Sequence, residues 1–189
     1  MGEGWTAFRL QRFGQWIDSN CELFPYTTSL LRTLPIPLAM RGVMFARQQP
    51  HSGVQPHSDG RNFVLTAHLG LQVPTRSPEL CWIEVGGERR YWVQDKAIIF
   101  DTSFVHRTLN DSEEDRYVLI LDFWHPDLTL IERDALQYIY ASRNLFDSDR
   151  MDEIDSPYLE QQRQLKAEEE RMNDPLQQIA NLFGFRREK

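Results

Sequence analysis

The segment FVLTAHLGLQV, residues 63–73, carries an apolar side chain at every odd position, whereas its even positions include Thr66, His68 and Gln72. Successive side chains of a β-strand point to opposite faces, so this period of two predicts a strand with one packed face. We expect the opposite face, which carries His68, to meet something polar. A strand of this kind needs neighbours in a sheet, which favours a mainly β fold.

Short segments follow one another between turn residues from about residue 45 to residue 126. WIEVGGERRYWV predicts a hairpin, because Gly86 and Gly87 supply the positive φ angles of a two-residue turn. AIIF (97–100) and RYVLILDFW (116–124) are predicted to be two further strands, joined through LNDSEED. Regularly spaced short strands are typical of an antiparallel sandwich or barrel, and we place the core in this region.

Helical segments flank the predicted strands. Residues 5–44 mix short apolar runs with prolines, and TTSLLRTL (27–34) predicts a short capped helix in a layer that covers the core. After the core, residues 129–145 repeat apolar side chains at helical spacing, and Thr129 and Glu132 have the spacing of a capping box.

The length of 189 residues suits one domain with an appendage. We predict that residues 1–145 form this domain, with the core at about 45–126, and that residues 146–189 form a charged, largely helical C-terminal extension. The helices of the extension are candidates for contact with another protein.

The composition excludes several classes of function. A net charge of −7 gives no electrostatic footprint for a phosphate backbone, so we expect no nucleic-acid partner. Cys21 and Cys81 are too few for a disulfide scaffold and lack the spacing of a zinc site. No apolar stretch is long enough for a membrane-spanning helix, and the first residues lack the pattern of a secretory signal. We therefore expect a soluble protein, cytoplasmic by default.

Two histidines and an aspartate form the candidate metal site. The triplet His57-Ser58-Asp59 precedes the strand at 63–73, and His106 follows the segment AIIFDTSF. Both positions fall at strand ends, and a jelly-roll barrel brings the ends of distant strands together at its open mouth. Two His and a carboxylate there would occupy one face of an octahedron, a ligand set that suits iron(II). The opposite face would stay open for a cosubstrate and dioxygen.

Arg116 is a cation on a strand face that it shares with the apolar residues Val118 and Ile120. A guanidinium in this setting needs a carboxylate partner, and it can grip one through two hydrogen bonds. The distal carboxylate of 2-oxoglutarate would suit it. His68, on the polar face of its strand, would add a second contact to the same molecule.

Each of these signals has a plainer explanation on its own. His-x-Asp followed by Gly60 is typical of a polar turn. His68 alone is more typical of an interior histidine. Arg116 alone is more typical of a surface ion pair with Asp115 or Glu114. The combination of His-x-Asp, a second His at a strand end and an Arg on the adjoining strand favours a functional site.

The segments LAMRGVMFA, PHSDGRNFVLTAHLGLQVP and IIFDTSFVHRTLNDSEEDRYVLILDFWHP resemble the aspartyl/asparaginyl β-hydroxylase family over about residues 20–130. The resemblance implies a double-stranded β-helix, a jelly-roll and cupin-like core, that uses iron(II), 2-oxoglutarate and dioxygen. It also implies that His57 and His106 bind the iron. By the same resemblance, His68 and Arg116 hold 2-oxoglutarate. These roles agree with those inferred above from the residues.

The chain departs from the pattern of this family at several positions. The best-known animal members carry Gly where this chain has Asp59, so the iron site here resembles the general oxygenase pattern and favours hydroxylation over halogenation. A serine that contacts 2-oxoglutarate in those members aligns with Ala46. An arginine that recognises an acidic substrate residue there aligns with Thr66, so the substrate is not carried over.

The sequence therefore predicts an iron(II)- and 2-oxoglutarate-dependent dioxygenase that hydroxylates an unactivated C–H bond, with His57, Asp59 and His106 as its catalytic metal ligands. An Asp, Asn or other residue of a protein or peptide is one substrate class, and a small molecule is another. The alternative is a non-catalytic, cupin-like module that binds a metal or small molecule, or another protein.

Overall fold

The computed structural model describes residues 4–12, 14–74, 76 and 78–140 of the chain. The chain divides into two compact units, Met1–Gln137 and Tyr138–Lys189, and the strands belong to the first. The predicted continuation of the last helix to residue 145 and the predicted extension over 146–189 lie outside the described residues.

Most of the regular structure consists of β-strands, as predicted. In chain order they are β1 (Trp5–Arg12), β2 (Gln15–Trp16), β3 (Leu38–Gln48), β4 (Ser52–His57), β5 (Val64–Gln72), β6 (Cys81–Val85), β7 (Glu88–Tyr91), β8 (Ala97–Asp101), β9 (His106–Asn110) and β10 (Arg116–Trp124). The helices are α1 (Asp18–Cys21), α2 (Pro25–Thr33), a 3₁₀ turn at Pro78–Leu80 and α3, whose described part is 130–140. Among the residues that the structure describes, no helix combines the length and the apolar character that a membrane crossing requires.

The strands form two antiparallel sheets, and the chain passes repeatedly from one to the other. The larger sheet has six strands in the order β2-β1-β3-β10-β5-β8, and the smaller has four in the order β4-β9-β6-β7. From β3 onward, consecutive strands lie in different sheets except for the β6–β7 hairpin, so strands distant in sequence become neighbours. This exchange is the jelly-roll topology of a double-stranded β-helix, and it confirms the predicted fold class.

The apolar core lies between the sheets. Met44, Val118 and Ile120 of the larger sheet form one buried cluster with Cys81 and Ile83 of the smaller sheet. Full burial of one such side chain contributes about 1.5 to 3 kcal/mol. The cluster therefore supplies much of the free energy that holds the two sheets together.

The two faces of β5 are buried in the opposite sense to the one expected from the sequence. The alternation is present, but Val64, Thr66 and His68 are buried, whereas Leu65 and Leu69 on the apolar face are partly exposed. The polar face points between the sheets because that space holds a cavity, which Thr66 and His68 line. The prediction that the odd positions are the packed face is wrong. His68 lines the cavity, but its ring packs against Trp92 and Phe100 and its Nδ1 has no hydrogen-bond partner among the described residues, so its polar environment stays a prediction.

The segment before residue 45 contributes strands to the larger sheet and is not a separate covering layer. β1 pairs with β3, and β3 pairs in turn with β10 in the middle of the six-stranded sheet. The core therefore begins well before residue 45. The sequence does not reveal β3 because both of its faces are largely buried, so LAMRGVMFARQ shows a nearly continuous apolar run instead of alternation.

β4 and β9 are also absent from the predicted strands. The sequence suggests a direct connection from AIIF to RYVLILDFW, whereas the structure has β9 between them. β9 pairs with β4, the strand that ends at His57. Both strands are short and rich in polar residues, so neither shows a clear period in the sequence.

The predicted turns and caps have different outcomes. Gly86 and Gly87, with φ angles of 56° and 85°, form the turn of the β6–β7 hairpin as predicted. The capping box of α3 is confirmed, since the Thr129 N–H donates to Glu132 Oε2 at 2.8 Å and the Glu132 N–H donates to Thr129 Oγ1 at 3.3 Å. α2 is confirmed as a helix, but its predicted side-chain cap is wrong. Phe24 precedes it without a capping hydrogen bond, and a proline occupies its first turn.

Candidate metal centre

β4 and β9 bring the two candidate histidines together at one end of the smaller sheet. His57 is the last residue of β4, His106 is the first of β9, and the two are Cα partners in the antiparallel ladder. The centroids of their imidazole rings lie 4.2 Å apart. These distant residues are therefore neighbours at strand ends, as the sequence predicts.

Backbone carbonyls fix the orientation of both imidazole rings. His57 Nδ1 lies 2.8 Å from the carbonyl oxygen of Gln55, and His106 Nδ1 lies 2.9 Å from that of Phe104. A carbonyl oxygen accepts hydrogen bonds and donates none, so each Nδ1 carries the proton and each Nε2 presents a lone pair. This is the tautomer that binds a metal through Nε2. Burial lowers the pKa of His106 below its ordinary value, which favours the neutral ring that a metal requires.

Asp59 completes a cluster of ligand groups. One oxygen of its carboxylate, Oδ2, pairs with the Arg41 guanidinium, while the other, Oδ1, lies 3.9 Å from His57 Nε2. One ligand atom from each of His57, Asp59 and His106 lies within 4.8 Å of the other two. Burial would raise the pKa of Asp59, but the charge and hydrogen bond of Arg41 outweigh it, and the pKa lies below its ordinary value. The cluster thus contains an ionised carboxylate with one oxygen beside the imidazoles.

A cavity of about 250 Å³ opens beside this cluster and has walls from both sheets. Its apolar lining consists of Trp5, Met44, Val54, Ile83, Phe100 and Ile120. Two arginines, Arg9 and Arg41, add positive charge to the walls. Arg9 is half-buried, donates to Met44 Sδ at 3.6 Å and makes no ion pair within the described part of the chain. Burial lowers the pKa of Arg9, and the charges of Arg12 and Arg41 lower it further, so this region favours an anion.

Arg116 lies on the inward face of β10 with Ile120, and its side chain is fully buried. It is 1% exposed, and within the described residues its Nε and Nη1 atoms have no hydrogen-bond partner. Its Cζ lies 4.2 Å from the centre of the Trp92 ring. Burial lowers the pKa of Arg116 to about 10, which still leaves it charged at neutral pH. The alternative of a surface ion pair is wrong, since Asp115 pairs with Arg47 at 2.8 Å.

His68 and Trp92 connect the cavity with Arg116. His68 lines the cavity and stacks against Trp92, with ring centroids 6.1 Å apart and 11° between the ring planes. Its Nδ1 has no hydrogen-bond partner among the residues described. Burial, aided by the charge of Arg116, holds the pKa of His68 well below its ordinary value, so the ring is neutral. The structure thus brings His68 and Arg116 together through Trp92, a residue that the sequence does not single out.

Arg41 also belongs to the site, although the sequence gives it no role. Its Nε lies 2.9 Å from Asp122 Oδ2, and its Nη1 pairs with Asp59. Thr66 Oγ1 donates to Asp122 Oδ1 at 2.6 Å, so the four side chains form one continuous polar network beside the cavity. The available signal is Gly42, because a glycine inside an otherwise apolar strand often marks a bulge that redirects a neighbouring side chain.

Comparison with known proteins gives a match over most of this fold. The family model described as aspartyl/asparaginyl beta-hydroxylase matches residues 1–126. The chain belongs to this family. Its relatives include the human aspartyl/asparaginyl beta-hydroxylase, 34% identical over 137 residues, and the human aspartate beta-hydroxylase domain-containing protein 2, 32% identical over 143 residues. The ornithine lipid ester-linked acyl 2-hydroxylase of Rhizobium tropici is 32% identical over 122 residues.

These three matches cover 71%, 72% and 65% of this chain, but 18%, 38% and 42% of the respective relatives. The chain therefore spans less than half the length of these members of the hydroxylase family.

Solved structures are also similar to parts of this chain. The plu4264 protein from Photorhabdus luminescens has a TM-score of 0.38 and 14% identity, and covers 59% of this chain and 75% of its own. The cupin domain of an XRE family transcriptional regulator from Enterobacter cloacae has a TM-score of 0.37 and 13% identity, over 44% of this chain and 80% of its own.

Proposed function

We propose that this chain is an iron(II)- and 2-oxoglutarate-dependent oxygenase domain that hydroxylates an unactivated C–H bond. The observation that carries the proposal is the His57/Asp59/His106 cluster at one cavity, together with a buried Arg116 whose Nε and Nη1 atoms have no hydrogen-bond partner among the described residues. A metal site alone would suit many cupin-like proteins. The unpartnered cation adds a requirement for an anion, and membership of the hydroxylase family supports the same reaction class.

The cluster fits iron(II) by the chemistry of its donors. Two imidazole nitrogens and one carboxylate oxygen, with further positions open, are the donor set of non-haem iron(II) oxygenases, whereas structural zinc sites are closed by four ligands. We assign Nε2 of His57, Nε2 of His106 and Oδ1 of Asp59 as the ligand atoms. With 2-oxoglutarate and dioxygen, iron(II) supplies the oxidising chemistry that converts C–H to C–OH.

Arg116 is assigned to the distal carboxylate of 2-oxoglutarate. Within the part of the chain that the structure describes, its Nε and Nη1 atoms have no hydrogen-bond partner, and Trp92 packs against the guanidinium. A buried charge without a partner is costly, and a carboxylate that accepts charge-assisted hydrogen bonds offsets that cost. His68, which is neutral and has a free Nδ1, is assigned a second contact to the same molecule.

The apolar walls of the cavity protect this chemistry from water. Met44, Ile83, Phe100 and Ile120 line the space beside the cluster. A substrate and cosubstrate that fill this space would displace solvent from these walls. Exclusion of water strengthens each electrostatic contact in the site and limits side reactions.

The substrate is the part of the proposal that the family leaves open. One relative is named for aspartyl and asparaginyl residues, and another for the ester-linked acyl group of an ornithine lipid. For this chain we propose a substrate with an anionic group, because Arg9 is a half-buried cation of the cavity without an ion pair in the described residues. Thr66 occupies the position aligned with a substrate-binding arginine, and Arg9 would supply that charge from β1.

Succinate release tests the reaction. The chain is loaded anaerobically with iron(II), supplied with 2-oxoglutarate and dioxygen, and offered Asp- and Asn-containing peptides and acyl lipids with anionic or neutral head groups. We expect succinate release coupled to a product that gains one oxygen atom, with an anionic substrate preferred. His57→Ala should abolish both signals, and Arg9→Met should raise the KM for the anionic substrate more than Arg9→Lys.

The non-catalytic alternative predicts a different result. The protein would bind metal and 2-oxoglutarate but release no succinate with any substrate of the panel. The domain limits at 1–145 and 146–189, and contact with a protein through the extension, stay predictions.

A further inference from the structure

We infer that Arg41 is a positioning residue that holds Asp59 in the orientation required for metal binding. The inference rests on the proposed function, because it takes Asp59 as a metal ligand. It adds a role for a residue that lies on β3, far in sequence from each of the candidate ligands. Four sets of contacts support it.

The first is the anchor of Arg41, which is Asp122. The Asp122 side chain is 0% exposed, and its Oδ2 lies 2.9 Å from Arg41 Nε. Its other oxygen, Oδ1, accepts a hydrogen bond of 2.6 Å from Thr66 Oγ1. Thr66 and Asp122 are Cα partners on β5 and β10, so the sheet fixes both residues. Asp122 thus pairs with the guanidinium through one oxygen while Thr66 holds the other by a hydrogen bond.

The second is the contact of Arg41 with Asp59. Arg41 Nη1 pairs with Asp59 Oδ2, which leaves Oδ1 as the oxygen that faces His57 Nε2 at 3.9 Å. Since the contacts with Asp59 and Asp122 use the same planar guanidinium, the position of Asp122 constrains where the Asp59 carboxylate is held.

The third is the restraint on the Asp59 backbone. Residues 58–61 lie outside regular secondary structure. The Asp59 N–H donates to the carbonyl oxygen of Thr102 at 2.9 Å, which fixes the main chain but leaves the side chain free to rotate. Without Arg41, the carboxylate would lose its ion pair and keep only the smaller hydrogen-bond contribution of the Thr102 side chain. Arg41 thus supplies the part of the orientation that the backbone cannot.

The fourth is a β-bulge that turns Arg41 toward the cavity. Met44 of β3 lines the cavity, and in a regular strand Gly42, not Arg41, would share its face. The register between β3 and β10 shifts here, and Gly42 has a φ of 72°. A Cβ at Gly42 would lie 2.5 Å from the carbonyl oxygen of Gln11, so the bulge requires glycine. The local backbone is therefore specialised to present this arginine.

Metal affinity of the full chain tests the inference, with Mn(II) alone as the probe. The double variant Arg41→Met/Asp122→Asn removes the support without changing the net charge, so long-range effects on a dication largely cancel. We expect Mn(II) binding, measured by calorimetry or electron paramagnetic resonance, to weaken about ten- to hundredfold, the usual effect of losing a partner that orients a ligand. In an Asp59→Ala background the same double change should cause no further loss, because no carboxylate remains to be positioned.

Arg9→Met is the matched control. It removes a cation from the same cavity but breaks no contact of Asp59 or Asp122, so Mn(II) affinity should not fall. Arg41→Lys keeps the charge but cannot span both carboxylates, and its affinity should lie between those of the wild type and the double variant. This single variant also provides the measurement if the double variant does not fold.

Equal Mn(II) binding by the double variant would overturn the inference, because Arg41 would then have no effect on the metal site. Tighter binding would overturn it as well, because Arg41 would then withhold Asp59 from the metal. Equal losses with and without Asp59 would overturn it too. Failure of the proposed function has a different signature, in which His57→Ala binds Mn(II) as tightly as the wild type.

Discussion

The candidate metal ligands His57, Asp59 and His106 form one side of the cavity, here called the mouth. One polar atom of each contacts a protein partner, and a second polar atom of each can bind a metal. His68 of the cavity wall, Trp92 and Arg116 form a buried group, here called the buried end, in which Nε and Nη1 of Arg116, Nδ1 of His68 and Nε1 of Trp92 have no hydrogen-bond partner among the described residues. The mouth is oriented by the protein itself. The buried end is complete only when a ligand supplies the missing contacts.

The two ends therefore differ in how their functional side chains affect the stability of the folded state. His57 and His106 lie at strand ends, and each ring has a backbone carbonyl partner, so these two side chains destabilise the folded state little. The buried end places a charge in the core, which opposes folding until an anion binds. Substitutions at the mouth should abolish metal binding while the stability stays nearly constant. Substitution of the buried charge should weaken 2-oxoglutarate binding and raise the stability of the ligand-free protein.

The largest effect is expected for His57→Ala. Loss of an outer partner of a metal ligand typically costs ten- to hundredfold in affinity, so loss of the ligand should weaken Fe(II) or Mn(II) binding by more than about a hundredfold. Because His57 is exposed, the free energy of unfolding of the metal-free protein should change by less than about 0.5 kcal/mol. Calorimetric titration and urea denaturation measure the two quantities. A large loss of stability at unchanged affinity would contradict the contrast between the two ends.

Arg116→Met should have the opposite effect on stability. Loss of its charge-assisted hydrogen bonds should weaken 2-oxoglutarate binding about ten- to hundredfold while metal affinity is kept. The ligand-free protein should become more stable by about 1 to 3 kcal/mol, because methionine fills the volume without a buried charge. Titration of the Mn(II)-loaded protein and denaturation of the ligand-free protein check both statements. An unchanged dissociation constant for 2-oxoglutarate would remove Arg116 from the site.

Gly42→Ala tests the backbone beneath the mouth. Its φ of 72° and the approach of a Cβ to Gln11 O at 2.5 Å should together destabilise the fold by about 1 to 3 kcal/mol and also weaken Mn(II) binding through Arg41. Gly87→Ala is the matched control, since it has a φ of 85° but nothing within 4 Å of a Cβ. The control should be less destabilised and should bind Mn(II) normally. Equal losses of stability would assign the whole effect to φ.

The smallest effect concerns pH and His68 at the buried end. The pKa of His68 is lowered from an ordinary value of 6.5, so below that pH the unfolded chain takes up a proton that the folded chain does not. The free energy of unfolding should therefore fall as the pH drops through 6.5. His68→Gln should remove this contribution, about 1 kcal/mol near pH 5.5. Denaturation of the metal-free proteins at several pH values measures it, and identical pH profiles would show that His68 does not titrate as described.

The sequence is most informative where a residue contrasts with its neighbours. Arg116 is a cation in an apolar strand, and the His57 triplet precedes a strongly alternating segment, so both are recognisable without a structure. Trp92 is not, because an aromatic residue after a hairpin strand looks like any other packed position. The alternation of β5 also predicts two faces correctly, but it cannot say which face lies inside when the interior holds a polar cavity.

Regular strand geometry does not predict the direction of Arg41, because that direction depends on a register shift for which Gly42 is the available signal. Reading β3 as a regular strand would put Arg41 on the outer face, away from the ligands. The structure also links Asp59 and Thr66, two of the three positions at which the chain departs from the best-known animal members of the family, through Arg41 and Asp122. Spacing in the sequence contains no trace of this link, since it runs across three strands and a loop.

The pairing of β4 with β9 has a consequence for folding kinetics. His57 and His106 are neighbours in the folded protein although β5 to β8 separate them in the chain. Contacts between such distant residues form late because closing the intervening loop costs chain entropy first. The unfolded chain offers a metal little more than the local pair of His57 and Asp59. A bound metal should therefore leave the folding rate nearly unchanged and slow unfolding. Loss of the metal should shorten the lifetime of the folded barrel without changing the rate at which it forms.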